Sequence, residues 1–164
     1  MVKISQNLLF NPAQIEVAGV RLSPDNIIQA IKVFDFSRIM VTIDSVSNDS
    51  PLLTYIKKEG LEHYTNSHIS ECIEVSVFIP RSLFANFLKI AMDEVPENIF
   101  VCNFPSTNSG DIFYQHSFEE LVIKGYADVF VSFSLDENAF LICFNKLYHS
   151  PKEILKRVKS IHFH

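Results

Sequence analysis

Chemistry in this sequence would have to come from its histidines, cysteines and clustered carboxylates. The six histidines are His63, His68, His116, His149, His162 and His164. His63 and His68 lie five apart in a polar stretch beside Glu62 and Glu71, and His162 and His164 alternate at the chain end. A zinc site wants three or four ligands, each held by a partner that orients it. Neither pair supplies that set locally, so the reading is exposed histidines and no metal. The three cysteines, Cys72, Cys102 and Cys143, are scattered through apolar, strand-like runs without a C-x-x-C. That pattern predicts small core residues in a reducing compartment. Cys143, between Ile142 and Phe144, reads as an inert core thiol. There is no G-x-S-x-G elbow for a nucleophilic serine. The four glycines, Gly19, Gly60, Gly110 and Gly125, are too far apart for a loop that brings backbone close to phosphate. The expectation is no catalytic residue, no cofactor and no enzyme.

The carboxylates say more. Asp93-Glu94-x-x-Glu97 is the densest acidic cluster. It falls near a predicted helix C-terminus, where the macrodipole disfavours negative charge. Two readings stand: a solvated loop before Pro96, or part of an acidic docking patch. Glu119 and Glu120 fall in a predicted first helical turn, where negative charge is favourable, and read as structural. The loop 105–116, PSTNSGDIFYQH, sets Asp111, Phe113 and Tyr114 among small polar residues. Aromatics in such a loop either pack beneath it or serve recognition. The partner-binding candidates are therefore Asp93, Glu94, Glu97 and Asp111, with Phe113 and Tyr114 as anchors.

Net charge is uneven along the chain. Residues 1–145 hold 18 of the 19 acidic side chains and 9 of the 14 Lys/Arg, a net of −9. The last 19 residues hold Lys146, Lys152, Lys156, Arg157 and Lys159 against Glu153, a net of +4. Phosphate affinity is built from Lys/Arg contacts, so an acidic body suits a basic protein partner and not a nucleic acid. The lysines of the last helix read as an ordinary solvated face.

Several elements must position these groups. A length of 164 residues with 48% apolar content predicts one domain, 1–164, that needs no disulfide or metal to fold. Ser23-Pro24, Ser50-Pro51 and Ser150-Pro151 each set a serine cap before a proline at the first helical position. Ser150 with Glu153, and Ser117 with Glu120, fit a capping box. Helices are predicted at 24–34, 51–59 (ending on Gly60 as a left-handed cap), 81–93, 118–124 and 151–160. Strands are predicted at 39–43, 71–79 and 99–104, with 129–133 and 140–144 as an antiparallel hairpin. Residues 8–10 and 15–20 are expected as an N-terminal hairpin. Within 71–79, Ile73, Val75, Val77 and Ile79 alternate with Glu74 and Ser76, which predicts one wet face. The fold class is α+β: a mixed or mainly antiparallel sheet packed with about five helices.

The acidic body, the missing catalytic set and the late Phe-rich stretch YADVFVSFSLDENAFLICFN together resemble the immunity proteins of bacterial contact-dependent growth inhibition and related polymorphic toxin systems. The resemblance implies a small cytoplasmic α/β protein that binds and blocks a cognate basic toxin, often a nuclease, by occluding or distorting its cleft. Carboxylates would then stand where substrate phosphates sit, or a toxin segment would add as a strand to a free sheet edge. It assigns no individual residue. The alternative is a small enzyme or ligand-binding protein with an apolar pocket between sheet and helices, using His63, His68 and Glu71. The N-terminus lacks the apolar core of a signal peptide, and no run is long enough for a membrane span. The expected location is the cytoplasm.

Overall fold

Each Ser-Pro dipeptide opens a helix. The computed structural model describes residues 3–5, 15–21, 23–67, 72–94, 99–103, 129–134, 139–145 and 149–161. Its four described helices are α1 (Pro24–Val33), α2 (Pro51–Lys58), α3 (Arg81–Glu94) and α4 (Pro151–Lys159). Ser23 Oγ accepts from the Asn26 N–H at 3.1 Å, and Ser50 Oγ accepts from the Leu52 N–H at 3.0 Å. Ser150 departs from expectation: it sits at the cap but makes no side-chain cap bond. The capping box there is not formed. Pro151 already removes one free N–H, and Glu153 still meets the positive helix end. The helix expected at 118–124 lies outside the described residues.

Helix ends follow one geometry twice. After α2, Gly60 N–H bonds to Lys57 O and Leu61 N–H bonds to Ile56 O, with Gly60 at φ 63°. This is the two-bond C-terminal motif that needs a left-handed residue. After α1 the same pair of bonds runs from Asp35 to Lys32 and from Phe36 to Ile31, but the left-handed residue is Asp35, at φ 51°. An aspartate there is doubly unfavourable, by backbone conformation and by the negative helix end. Arg81 offsets both. Its Nη2 lies 2.6 Å from the Asp35 carboxylate and its Nε donates to Phe36 O at 2.8 Å.

The strands form one sheet. They are β1 (Lys3–Ser5), β2 (Ile15–Arg21), β3 (Ile39–Ser47), β4 (His63–Ser67), β5 (Cys72–Ile79), β6 (Ile99–Asn103), β7 (Val129–Ser134) and β8 (Ala139–Asn145). Their spatial order is β1-β2-β8-β7-β6-β3-β5-β4, and every pairing is antiparallel. The β7–β8 hairpin is as expected. β2 pairs with Lys3–Ser5, whereas the expected partner 8–10 lies outside the described residues. His63 is not in a loop: it begins the edge strand β4. β5 and β6 both pair with β3, one on each side, and α3 connects them. That crossover makes β5 and β6 parallel without making them neighbours. Helix–strand alternation along the chain therefore yields no parallel pair among the described strands.

Alternation decides the core. Ile39, Val41, Ile43, Val75, Val77, Ile79, Ile99, Val101, Val129, Val131, Ile142 and Phe144 are all buried, and share one core with the inner faces of all four helices. The helices lie in a row, with α1 touching both α4 and α3, and α3 touching α2. α4 also touches β2, and α3 touches β3, so α2 is outermost on the side where β5 and β4 end the sheet. The other sheet face is not wet at its centre. Met40, Thr42 and Cys102 are buried there, and Thr42 and Ser76 hydroxyls bond across strands at 2.6 Å. The wet face expected for β5 is half-buried at Glu74 and Ser76 and buried at Phe78. An added residue in β3 between Ile43 and Val46 breaks the register with β5, with Ser45 at φ 63°. Such a bulge bends the strand end.

A Cβ at Gly60 would meet nothing within 4 Å, so Gly60→Ala tests backbone conformation alone. It is expected to lower unfolding stability by about 1 kcal/mol, read from the denaturant midpoint. Asp35→Gly relieves the same strain but removes the Arg81 partner, and is expected to stay within about 0.5 kcal/mol of the parent.

Candidate functional site

α3 ends on Asp93 and Glu94, and the chain then reaches Ile99, which pairs with Ile43. This sheet end also carries the β3 bulge and the turn into α2. Glu94 is drawn into that turn. Its carboxylate accepts from the Ser50 hydroxyl and from the Leu52 N–H, the latter at 3.3 Å. Glu94 thus lies against the dipole of its own helix and with the dipole of another. It caps the N-terminus of α2 jointly with Ser50, which is only 4% exposed. A charge at the positive helix end is favourable, and the two hydrogen bonds are charge-assisted.

The remaining acids of this end point outward. Asp93 and Asp49 are exposed and Asp44 is half-buried. Asp44 Oδ1 accepts from the Ser45 N–H at 2.7 Å. The Ser47 hydroxyl donates to the Asp49 carboxylate. That bond, with a backbone one, holds the Asp49 pKa below the ordinary carboxylate value, so its charge persists to lower pH. Of the sequence candidates, the structure brings Asp93 and Glu94 to this end. Glu97, Asp111, Phe113 and Tyr114 lie outside the described residues.

The partition of charge is informative. The described residues contain eleven carboxylates and twelve Lys/Arg, a near-neutral scaffold. The intervening segments contain the other eight carboxylates and only Lys124 and Lys146. Most of those acids belong to the chain around β6, β7 and β8. Asp136 and Glu137 are within the four residues that join Ser134 to its paired Ala139.

At the opposite sheet end is a groove of about 340 Å³ lined in part by Ser37, Arg38, Leu61, Glu62, Phe78 and Arg81. The Arg38 guanidinium lies 4.0 Å over the Phe78 ring and 3.5 Å from Glu62. Tyr64 donates to Glu62 at 2.9 Å. Asn103, 7% exposed, accepts from the Ser37 N–H at 3.0 Å and so ties β6 to the start of β3. Sequence reading missed these contacts because their partners lie up to 66 residues apart.

The other candidates are less suggestive. His63 Nδ1 lies 2.9 Å from Leu61 O. A carbonyl only accepts, so that nitrogen carries the proton. His68 and Glu71 lie outside the described residues. Cys72 is half-buried and Cys102 buried, both as free thiols. Among the described residues no group of three or more His, Cys, Asp or Glu could hold a metal ion, and no helix is long and apolar enough to cross a membrane.

No family model matches the chain, and no curated protein matches it. Among solved structures, the ligand-free regulatory subunit of aspartate kinase from Thermus thermophilus aligns over 92% of this chain and 97% of that one. The identity is 8% and the TM-score 0.29, a likeness too slight to carry an argument.

Asp93 and Glu94 are neighbours in sequence with different work to do. Glu94→Ala is expected to lower stability by about 1–2 kcal/mol through the lost α2 cap. Asp93→Ala is expected to change it by under about 0.5 kcal/mol. Urea denaturation of the two variants side by side reads the difference.

Proposed function

We propose that this protein binds and blocks a basic protein partner, a toxin domain of the kind that immunity proteins oppose, and that it does so in the cytoplasm. The observation that carries the reading is the charge partition. A near-neutral scaffold presents Asp44, Asp49 and Asp93 at one sheet end, and the acidic excess of the chain is in the segments between its later strands. Asp44, Asp49 and Asp93 would steer a basic protein toward that sheet end, while tight holding needs buried anchors. Phe113 and Tyr114 are the proposed anchors, with Asp93, Glu97 and Asp111 as the steering carboxylates. Glu94 contributes to the same end but is engaged with α2. The partner's phosphate-binding residues, if it is a nuclease, would meet carboxylates in place of substrate.

The experiment is co-expression with the product of the reading frame immediately upstream. A stoichiometric complex in gel filtration, and growth arrest when the neighbour is expressed alone, are the expected results. In that complex, Asp93→Asn with Glu97→Gln and Asp111→Asn is expected to slow association about tenfold and flatten its salt dependence. No complex and no toxicity would overturn the reading.

A second reading is that of a ligand-binding protein. One observation favours it: the 340 Å³ groove that holds Arg38 and Arg81. The groove is polar, with Arg38 paired to Glu62 and Arg81 to Asp35, and lies at a sheet end, unlike the apolar pocket expected between sheet and helices. A small carboxylate or phosphate ester that displaces Glu62 from Arg38 is the ligand class to test. Calorimetric titration with inorganic phosphate and with citrate distinguishes the readings, since heat abolished by Arg38→Ala would favour this one.

A further inference from the structure

The two edges of the sheet are built differently. β1 is three residues long and begins with Lys3, both features that discourage pairing with another chain. β4, at the other edge, is five residues long with the sequence HYTNS, and pairs with β5 without a bulge. It contains no lysine and no proline. By the same logic β4 is an unguarded edge.

The register says which backbone groups face outward. Phe78 N–H donates to Glu62 O at 2.9 Å, and Glu62 lies opposite Phe78 one step beyond the His63–Val77 pair. Hydrogen-bonded positions alternate in an antiparallel ladder. Tyr64 and Asn66 therefore direct their backbone groups toward β5, and His63, Thr65 and Ser67 direct theirs away from it. Among the described residues nothing pairs with that outer side.

We propose that a second copy of this chain occupies the β4 edge, pairing β4 antiparallel to itself about a two-fold axis at Thr65. This register pairs Thr65 with the second copy's Thr65, and His63 with its Ser67. All the outward groups are then used, in roughly six hydrogen bonds. Tyr64 meets Asn66, and no like charges stand directly opposite within the strand. Charge along the edge is complementary under the same rotation. Lys57 and Lys58, against Glu59, close α2 at one end of β4, where Glu62 is already paired with Arg38. Asp49, just before α2 on the same helix layer, marks the other end. The two-fold sets the basic end of each copy against the acidic end of the other, and runs the two α2 dipoles antiparallel.

Sedimentation velocity of the full chain, alone, is the test. The weight-average mass is expected to rise toward twice that of the monomer between micromolar and sub-millimolar concentration. Thr65 is exposed, so Thr65→Lys leaves the fold intact and opposes two like charges across the axis. It is expected to weaken association at least tenfold. Thr65→Pro removes an outward N–H that the β5 ladder does not use and is expected to act alike. Thr65→Cys, in a Cys72→Ser background, is expected to give a disulfide-linked dimer on mild oxidation, since paired Cα atoms lie about 5.5 Å apart. A chain that stays monomeric throughout overturns the proposal. So does a dimer that Thr65→Lys leaves unchanged and that does not cross-link through position 65.

Discussion

The rest of the structure depends on the register of β3. Residues 39–43 pair with β5 on one side and β6 on the other, and all five are at most 1% exposed. A strand buried on both faces reads as a continuous apolar run with no obvious inner side. Its register is nevertheless strict. A slip of one residue would turn Ile39, Val41 and Ile43 away from the helices and bring Met40 and Thr42 to face them. Thr42 resists that slip chemically, because its hydroxyl is matched by Ser76 on the opposite face. Longer contacts then fasten both ends. Asn103 holds the chain just before β3 through Ser37, and Glu94 holds the turn after it through Ser50.

What was legible in the sequence was what is settled within a few residues. A serine followed by proline marks a helix start because both residues act on the same unpaired N–H groups. Gly60 marks a helix end because its backbone needs no side chain to relax. The edge strand β4 escaped because HYTNS lacks apolar alternation: its contacts to the sheet are those of the backbone ladder, which leaves no pattern in side chains. The site was less legible still. Glu94 looked misplaced at the end of its own helix, and the helix that it serves begins more than forty residues earlier in the chain. Asp35 and Arg81 show the same difficulty: a residue that breaks a local rule is explained by one far away in sequence.

Those two acids also separate structural charge from available charge. Asp35 and Glu94 each have a partner that offsets an unfavourable helix end. The ion pairs Arg81–Asp35 and Arg38–Glu62 both lie at the groove end of the sheet. Asp44, Asp49 and Asp93 instead gather at the far end, where Asp44 and Asp49 are held by bonds from neighbouring N–H and hydroxyl groups. For Asp49 those bonds lower the pKa, so its charge persists to lower pH. Acidity in this chain is therefore not spread as a general coat. At the far sheet end it is carried by Asp44, Asp49 and Asp93, and in sequence the remaining excess falls between the later strands.

The sheet end and the sheet edge are different surfaces, and this matters for how they would be used together. A two-fold at β4 reverses strand direction between copies, so the acidic ends of the two molecules point opposite ways. A strand of five residues spans about 17 Å, and exposed charges are screened over about 8 Å at physiological salt. The lysines that close α2 in one copy would lie beside Asp49 of the other, whereas Asp44 in β3 and Asp93 at the end of α3 are set back from the edge. A dimer built on the edge adds a second acidic end without consuming the first, so partner binding at the ends and self-association at the edge place no demand on the same residues, save for Asp49 at their border.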